Sequence, residues 1–142
     1  MKAAFRHMRG ARSLMAVAAV VGLAVSVSAW TTTEVTRGGA VIIVKMVDVS
    51  TTEFKFDPAE ITAQPGDTVR FVQSGTMPHN VDFRVMPEGT DLGDAKMGPF
   101  LTTPDETYDV VIDGRFATGE HGFVCTPHEF MGMKGTLTVE GS

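Results

Sequence analysis

From residue 40 onward, apolar side chains fall in short runs, several of them alternating with polar ones, and turn residues separate the runs. Residues 40–49 are rich in valine and isoleucine, and 53–56 alternate as Glu, Phe, Lys, Phe. A Pro65-Gly66-Asp67 turn precedes 68–73, where Val69 and Phe71 share one face. Residues 81–85, 108–112 and 136–139 alternate again. A period of two marks half-buried strands, and short strands punctuated by Pro and Gly predict an all-β sandwich or barrel. No window keeps a helical period over three turns. The least regular stretch, 86–104, has room for one short helix or for the long crossover connection that a Greek key requires. The expected core is Val41, Ile43, Phe54, Phe56, Ile61, Val69, Phe71, Phe83, Val110, Phe123, Leu137 and Val139.

The N-terminal pattern is different in kind. Lys2, Arg6, Arg9 and Arg12 form a basic region without an acid, residues 14–25 are all apolar or Gly, and Val27-Ser28-Ala29 supplies small residues before Trp30. That order is a secretory signal peptide over residues 1–29. Read as a membrane anchor it is short, because a span needs about 20 apolar residues. Residues 30–39, polar and glycine-containing, are expected to be a flexible linker. Residues 40–142 then form one domain, large enough for a single core between two sheets.

Export changes the charge. The whole chain carries a net charge of −5, with 12 basic and 17 acidic residues, and the segment 1–29 takes four of the basic residues and no acid. The remainder has 8 basic against 17 acidic residues, a net charge of −9. Such a surface excludes nucleic acid, whose phosphates need a basic patch, and suits a basic partner. One cysteine remains, Cys125, which cannot form an internal disulfide in an oxidising compartment. It is either a buried, inert residue or a chemically committed one, and its neighbours decide.

Residues 122–135 read GFVCTPHEFMGMKG, which places a thiol, an imidazole and two thioethers within the nine positions 125–133. A second histidine, His79, follows Pro78, 46 residues before Cys125. Two imidazoles and a thiolate in a plane, with a weak axial thioether, are the ligand set of a blue copper site. The soft thiolate gives an electronic route off the metal, neutral imidazoles suit both Cu(I) and Cu(II), and a thioether favours Cu(I). If Cys125 ends one strand and the next begins near Gly135, the intervening turn gathers Cys125, His128 and a methionine. His79, at the start of another strand, closes the site. Both Met133 and Met131 lie within reach, and the loop length with Gly132 favours Met133. His121 shares strand parity with Cys125 but is too far along an extended strand to join it, and is expected to be structural. Glu129 is expected to be solvated, and Met46, Met77, Met86 and Met97 mostly packing residues.

With these residues in view, the chain resembles the cupredoxins, and within them the plastocyanin and pseudoazurin group. The resemblance covers roughly 54–140: F-x-P from Phe56 to Pro58, P-G-D-T-V-x-F from Pro65 to Phe71, P-H-N-V-x-F from Pro78 to Phe83, and C-T-P-H-x-x-M-G-M from Cys125 to Met133. It implies a Greek-key β-sandwich of about eight strands and outer-sphere electron transfer. It further implies one type 1 copper ion held by His79, Cys125, His128 and Met133, with Asn80 bracing the ligand loops. In plant-type members a tyrosine precedes the ligand cysteine and an acidic run follows the first histidine. Here Val124 and Arg84-Val85-Met86-Pro87 stand in those places, so the resemblance does not extend to a photosynthetic partner.

Three classes of function are open to such a site. An electron carrier is expected, exchanging one electron with a c-type cytochrome or a respiratory or nitrogen-oxide reductase, as a periplasmic or secreted monomer. A thiol enzyme lacks a third orienting residue beside Cys125 and His128, and a multicopper enzyme needs histidine pairs that this chain does not have. The alternative is a periplasmic copper carrier or storage protein, or a copper-donating subunit of an oxidase or reductase, which would usually repeat its Met or His motifs. Sequencing the N-terminus of the exported protein should return Trp30 or a near neighbour; Met1 on a membrane-bound protein would establish an anchor instead.

Overall fold

The computed structural model describes residues 39–141. The expected signal peptide, its alternative as an anchor, and residues 30–38 of the expected linker lie outside the described residues. Eight strands are present: β1 (Val41–Asp48), β2 (Phe54–Asp57), β3 (Glu60–Ala63), β4 (Thr68–Gln73), β5 (Asp82–Val85), β6 (Thr107–Val111), β7 (Gly119–Val124) and β8 (Lys134–Val139). They form two four-stranded sheets, ordered β2-β1-β4-β6 and β3-β8-β7-β5. β1 runs parallel to β4 and β3 parallel to β8, while the other neighbours are antiparallel. The chain passes repeatedly from one sheet to the other, as in a Greek-key sandwich. Only two short 3₁₀ segments interrupt the strands among the described residues, Gly93–Lys96 within the irregular stretch and Thr126–Met131 in the ligand loop. No helix among those residues is long and apolar enough to cross a membrane.

The inward faces meet in one apolar core, with Val44, Met46, Phe56, Val69, Phe71 and Val110 from the first sheet against Ile61, Ala63, Phe83, Phe123, Leu137 and Val139 from the second. Phe123 is the hub of this interface. Its ring meets those of Phe56 and Phe71 across the sandwich at centroid distances of 4.9 and 5.4 Å, and that of Phe83 on the neighbouring strand at 5.8 Å, all edge to face. Edge-to-face packing sets the positive rim of one ring against the negative face of the next.

Two expected core residues are on the wrong face. Val41 and Ile43 are 54% and 53% exposed, and Val44 and Met46 are buried in their place. The start of β1 is apolar on both faces, so alternation alone gives it no phase. Lys45 is the informative residue: its charge must point out, which turns Ile43 and Val41 out with it and Val44 and Met46 in. Ile43 lies opposite Arg70, which makes a two-pronged hydrogen bond to Asp109 on that outer face. The other ten expected core residues are buried. Of the expected packing methionines, Met46 is fully buried whereas Met77 and Met97 are exposed.

Because Phe123 touches both sheets, Phe123→Ala should cost about 3–5 kcal/mol, read from urea unfolding of the metal-free protein.

Candidate metal centre

The centre is built from two loops at one end of the sandwich. The first connects β4 to β5. Gln73, fully buried at the end of β4, donates from Nε2 to the carbonyls of Met77 (2.6 Å) and Leu101 (3.0 Å), and its Oε1 accepts from the Gly75 N–H (3.1 Å). His79 and Leu101 exchange two backbone hydrogen bonds, of 3.1 and 2.8 Å. His79 therefore sits in a fixed backbone ahead of β5 rather than at its first residue.

The second loop joins β7 to β8. Cys125 follows the last residue of β7, and Pro127 opens the 3₁₀ turn in which His128 lies. Pro is suited to that first turn, where its missing N–H costs nothing. Gly132 ends the turn with φ of 89°, a left-handed conformation that glycine adopts freely. The reversal brings Met133 back alongside: its N–H donates to the His128 carbonyl (3.2 Å) and its carbonyl accepts from the Cys125 N–H (3.1 Å). Asn80 ties the two loops together, accepting the Thr126 N–H at Oδ1 (2.8 Å) and donating from Nδ2 to Thr126 Oγ1 (3.1 Å).

His79, Cys125 and His128 are thereby brought to one point, their donor atoms all within 4.8 Å of one another. His79 Nδ1 and His128 Nδ1 are 3.1 Å apart, and Cys125 Sγ is 3.5 and 3.4 Å from them. Three donors about 2.0 Å (N) and 2.3 Å (S) from a first-row metal, at angles near 100–120°, would be separated by about 3.1–3.5 Å (N to N) and 3.3–3.7 Å (N to S). The triangle has the dimensions of a trigonal His₂Cys site. Its chemistry fits as well: two imidazole nitrogens and a sulfur converge inside the protein, and a cation at the centre would satisfy all three.

The surroundings favour a neutral His128 imidazole and a neutral Cys125 thiol while no cation is bound. Burial, and then the neighbouring His79, push His128 below the ordinary imidazole range against a smaller opposing pull from Asp48. Burial pushes the Cys125 thiol up, more than the N–H groups of Asn80 and His128 lower it. Without a cation the sulfur thus keeps its proton, and a bound metal ionises it outright. His79 and Cys125 are wholly buried, whereas His128 is 5% exposed. Met133 is completely buried and Met131 is 50% exposed.

The sequence profile described as copper binding proteins, plastocyanin/azurin family, matches residues 43–140. The chain belongs to that family. Plastocyanin from Scenedesmus fuscus is 34% identical over 87 residues, which cover 60% of this chain and 86% of that one. The solved structure of oxidised plastocyanin from Dryopteris crassirhizoma superposes with a TM-score of 0.57 at 33% identity, covering 69% of this chain and 99% of the other. Amicyanin from Paracoccus versutus gives a TM-score of 0.52 at 28% identity, covering 70% and 81%. This cupredoxin is thus a copper-binding protein of the plastocyanin-like, electron-carrying type.

Several residues of the centre were not apparent from sequence. Phe54, expected only as core, stacks on the His128 ring at a centroid distance of 3.9 Å and an interplanar angle of 19°. It meets the His79 ring edge to face at 5.7 Å, so one aromatic side chain orients both imidazoles. Asp48, at the end of β1, accepts a 2.7 Å hydrogen bond from His79 Nε2. Glu129 is not simply solvated, since it lies 3.8 Å from Arg84 and 4.0 Å from Lys134. Such half-exposed pairs contribute little to stability. His121 is structural as expected: its Nδ1 and Nε2 meet the Gly119 carbonyl and Thr90 Oγ1 at 3.2 and 3.1 Å, inside the protein.

Proposed function

We propose that the chain is an exported blue copper carrier that passes one electron at a time between redox partner proteins, with His79, Cys125, His128 and Met133 as the ligands of a single type 1 copper ion. The observation that carries this reading is the buried triangle of His79, Cys125 and His128, with edges of 3.1–3.5 Å, in a chain of the plastocyanin/azurin family. Bound copper would supply the Cu(II)/Cu(I) couple.

Each residue of the centre has a part in making that couple fast. The half-buried Asn80–Thr126 hydrogen bonds and the Gln73 bridges fix the loops before any metal arrives, so little rearrangement would accompany a change of oxidation state. Burial of Met133, against exposure of Met131, supports Met133 as the thioether that would help hold the ion. The two imidazoles and the thiolate would serve both oxidation states of the couple.

The edge of His128 is the exposed part of the triangle and the expected exit for the electron. Exposed apolar residues flank the ligands, with Met77 and Pro78 beside His79, Pro127, Phe130 and Met131 around His128, and Phe100 beside Leu101. Phe130 is 99% exposed. An apolar patch of this kind suits a short-lived redox encounter, which buries little area and must dissociate quickly. The acidic surface would steer a basic partner, a c-type cytochrome or a respiratory or nitrogen-oxide reductase, and salt would screen that attraction. The domain (residues 40–142) would act as a monomer in the periplasm or outside the cell.

The oxidised, copper-loaded protein should be intensely blue, bleach on one-electron reduction, and recover on oxidation. Cys125→Ser should remove the colour from a folded domain. A colourless protein holding stoichiometric Cu(II) would end the proposal. Met133→Gln should lower the reduction potential, because a hard amide oxygen favours Cu(II), while Met131→Gln should leave potential and spectrum in place. Met131→Lys and Phe130→Glu should slow the bimolecular reaction with the partner without altering colour or potential, as measured by stopped-flow absorbance.

A further inference from the structure

Asp48 lies at the end of β1, on a different element from every proposed ligand, and its two carboxylate oxygens have separate tasks. Oδ1 accepts from His79 Nε2 at 2.7 Å. Oδ2 receives the N–H of Thr76 (2.7 Å), the hydroxyl of Thr76 (3.2 Å) and the N–H of Met77 (3.0 Å). Among the described residues, His79 is the one histidine paired with a carboxylate. The neighbouring chain is shaped around this group: a Cβ at Gly75 would overlap the Asp48 carboxylate, so the loop can close over it only with glycine there. Gln73 braces the same loop from the other side through Met77 and Gly75. The Asp48 carboxylate is 18% exposed. Burial alone would raise its pKa, but the hydrogen bonds from Thr76, His79 and Met77 outweigh that and hold it at about 2. It is an anion at any working pH.

We infer that Asp48 is a positioning residue for His79: it fixes the imidazole as the Nε2–H tautomer with Nδ1 turned to Cys125 and His128, and its charge favours the higher oxidation state of a bound copper. The inference rests on the copper reading above and names what sets the basicity of one ligand. A ring that donates Nε2–H to a carboxylate keeps the Nδ1 lone pair free for the metal and becomes a stronger donor. Because the carboxylate is not a ligand, its negative charge acts through the ring on Cu(II) more than on Cu(I), and so lowers the reduction potential.

The two tasks make a discriminating substitution available. An asparagine at position 48 has one acceptor oxygen. Three donors compete for it on the loop side, which leaves its NH₂ facing His79 Nε2. That contact favours the Nδ1–H tautomer, whose proton occupies the metal position. Alanine leaves Nε2 to water and imposes no tautomer. If Asp48 merely pins the loop, asparagine should be the milder change; if it orients His79, asparagine should be the worse one.

The test uses Zn(II) competition titrations on wild type, Asp48→Asn and Asp48→Ala, each checked for a folded sandwich by circular dichroism. Asp48→Asn should bind Zn(II) about 10–100-fold more weakly than wild type, and more weakly than Asp48→Ala. In the metal-free protein, long-range ¹H–¹⁵N spectra should show His79 as the Nε2–H tautomer in wild type and as Nδ1–H in Asp48→Asn. With copper bound, both variants should shift the Cu(II)-to-Cu(I) affinity ratio about tenfold toward Cu(I), a rise of about 59 mV in potential. Wild-type zinc affinity and tautomer in Asp48→Asn, or an unchanged potential in both variants, would overturn the inference. A wild-type protein that never turns blue would defeat the copper reading instead, and the zinc and tautomer measurements would still decide the role of Asp48.

Discussion

Two imidazole nitrogens that face each other at 3.1 Å, with a sulfur 3.4–3.5 Å from both, crowd three potential metal donors into one buried point. The rest of the molecule is arranged to sustain that proximity. Side chains left to themselves would turn away, at little cost, into other rotamers. Here the rings are gripped by Phe54, which stacks on one and abuts the other, and by Asp48 behind His79. The backbones are gripped by Asn80, Gln73 and the paired rungs between His79 and Leu101. The convergence is thus maintained by many ordinary contacts spread over both sheets. Preorganisation of this kind is what lets a redox centre change charge without moving.

Much of this was legible beforehand, for a reason particular to the chain. Cys125, His128 and Met133 lie within nine residues, so sequence spacing is nearly spatial spacing. Strands such as β2 and β4 alternate cleanly because one face is buried and the other is not. β1 was legible as a strand but not in its phase, since Val41, Ile42, Ile43 and Val44 offer no polar mark until Lys45. β3 has only four residues, and β7 carries two glycines, which weakened their signals as separate strands.

The supporting residues were illegible for a different reason. Asp48 is 31 residues from His79 in the chain, and nothing local distinguishes it from any acid at the end of a strand. Phe54 occupies a core position in the pattern of β2 and reveals its second contact only when the end of that strand is seen beside the ligand loop. Glu129 looks like a free charge until Arg84 and Lys134 converge on it from neighbouring strands. Short-range chemistry is written in spacing, whereas support across sheets is written in topology.

The division of the centre between the two sheets bears on how the protein matures. Asp48 and Gln73 end strands of the first sheet, while Cys125 and Met133 flank strands of the second, with His79 on the connection between them. A chain that has formed only the β7–β8 hairpin can offer a metal Cys125, His128 and Met133 from a single loop. The second imidazole arrives only when residues 46 apart in sequence have been brought together by closure of the sandwich. Long-range closure of this kind is slow relative to hairpin formation. A grip by both imidazoles therefore reports a finished fold, and the uptake of metal would serve as a clock for the last step of folding.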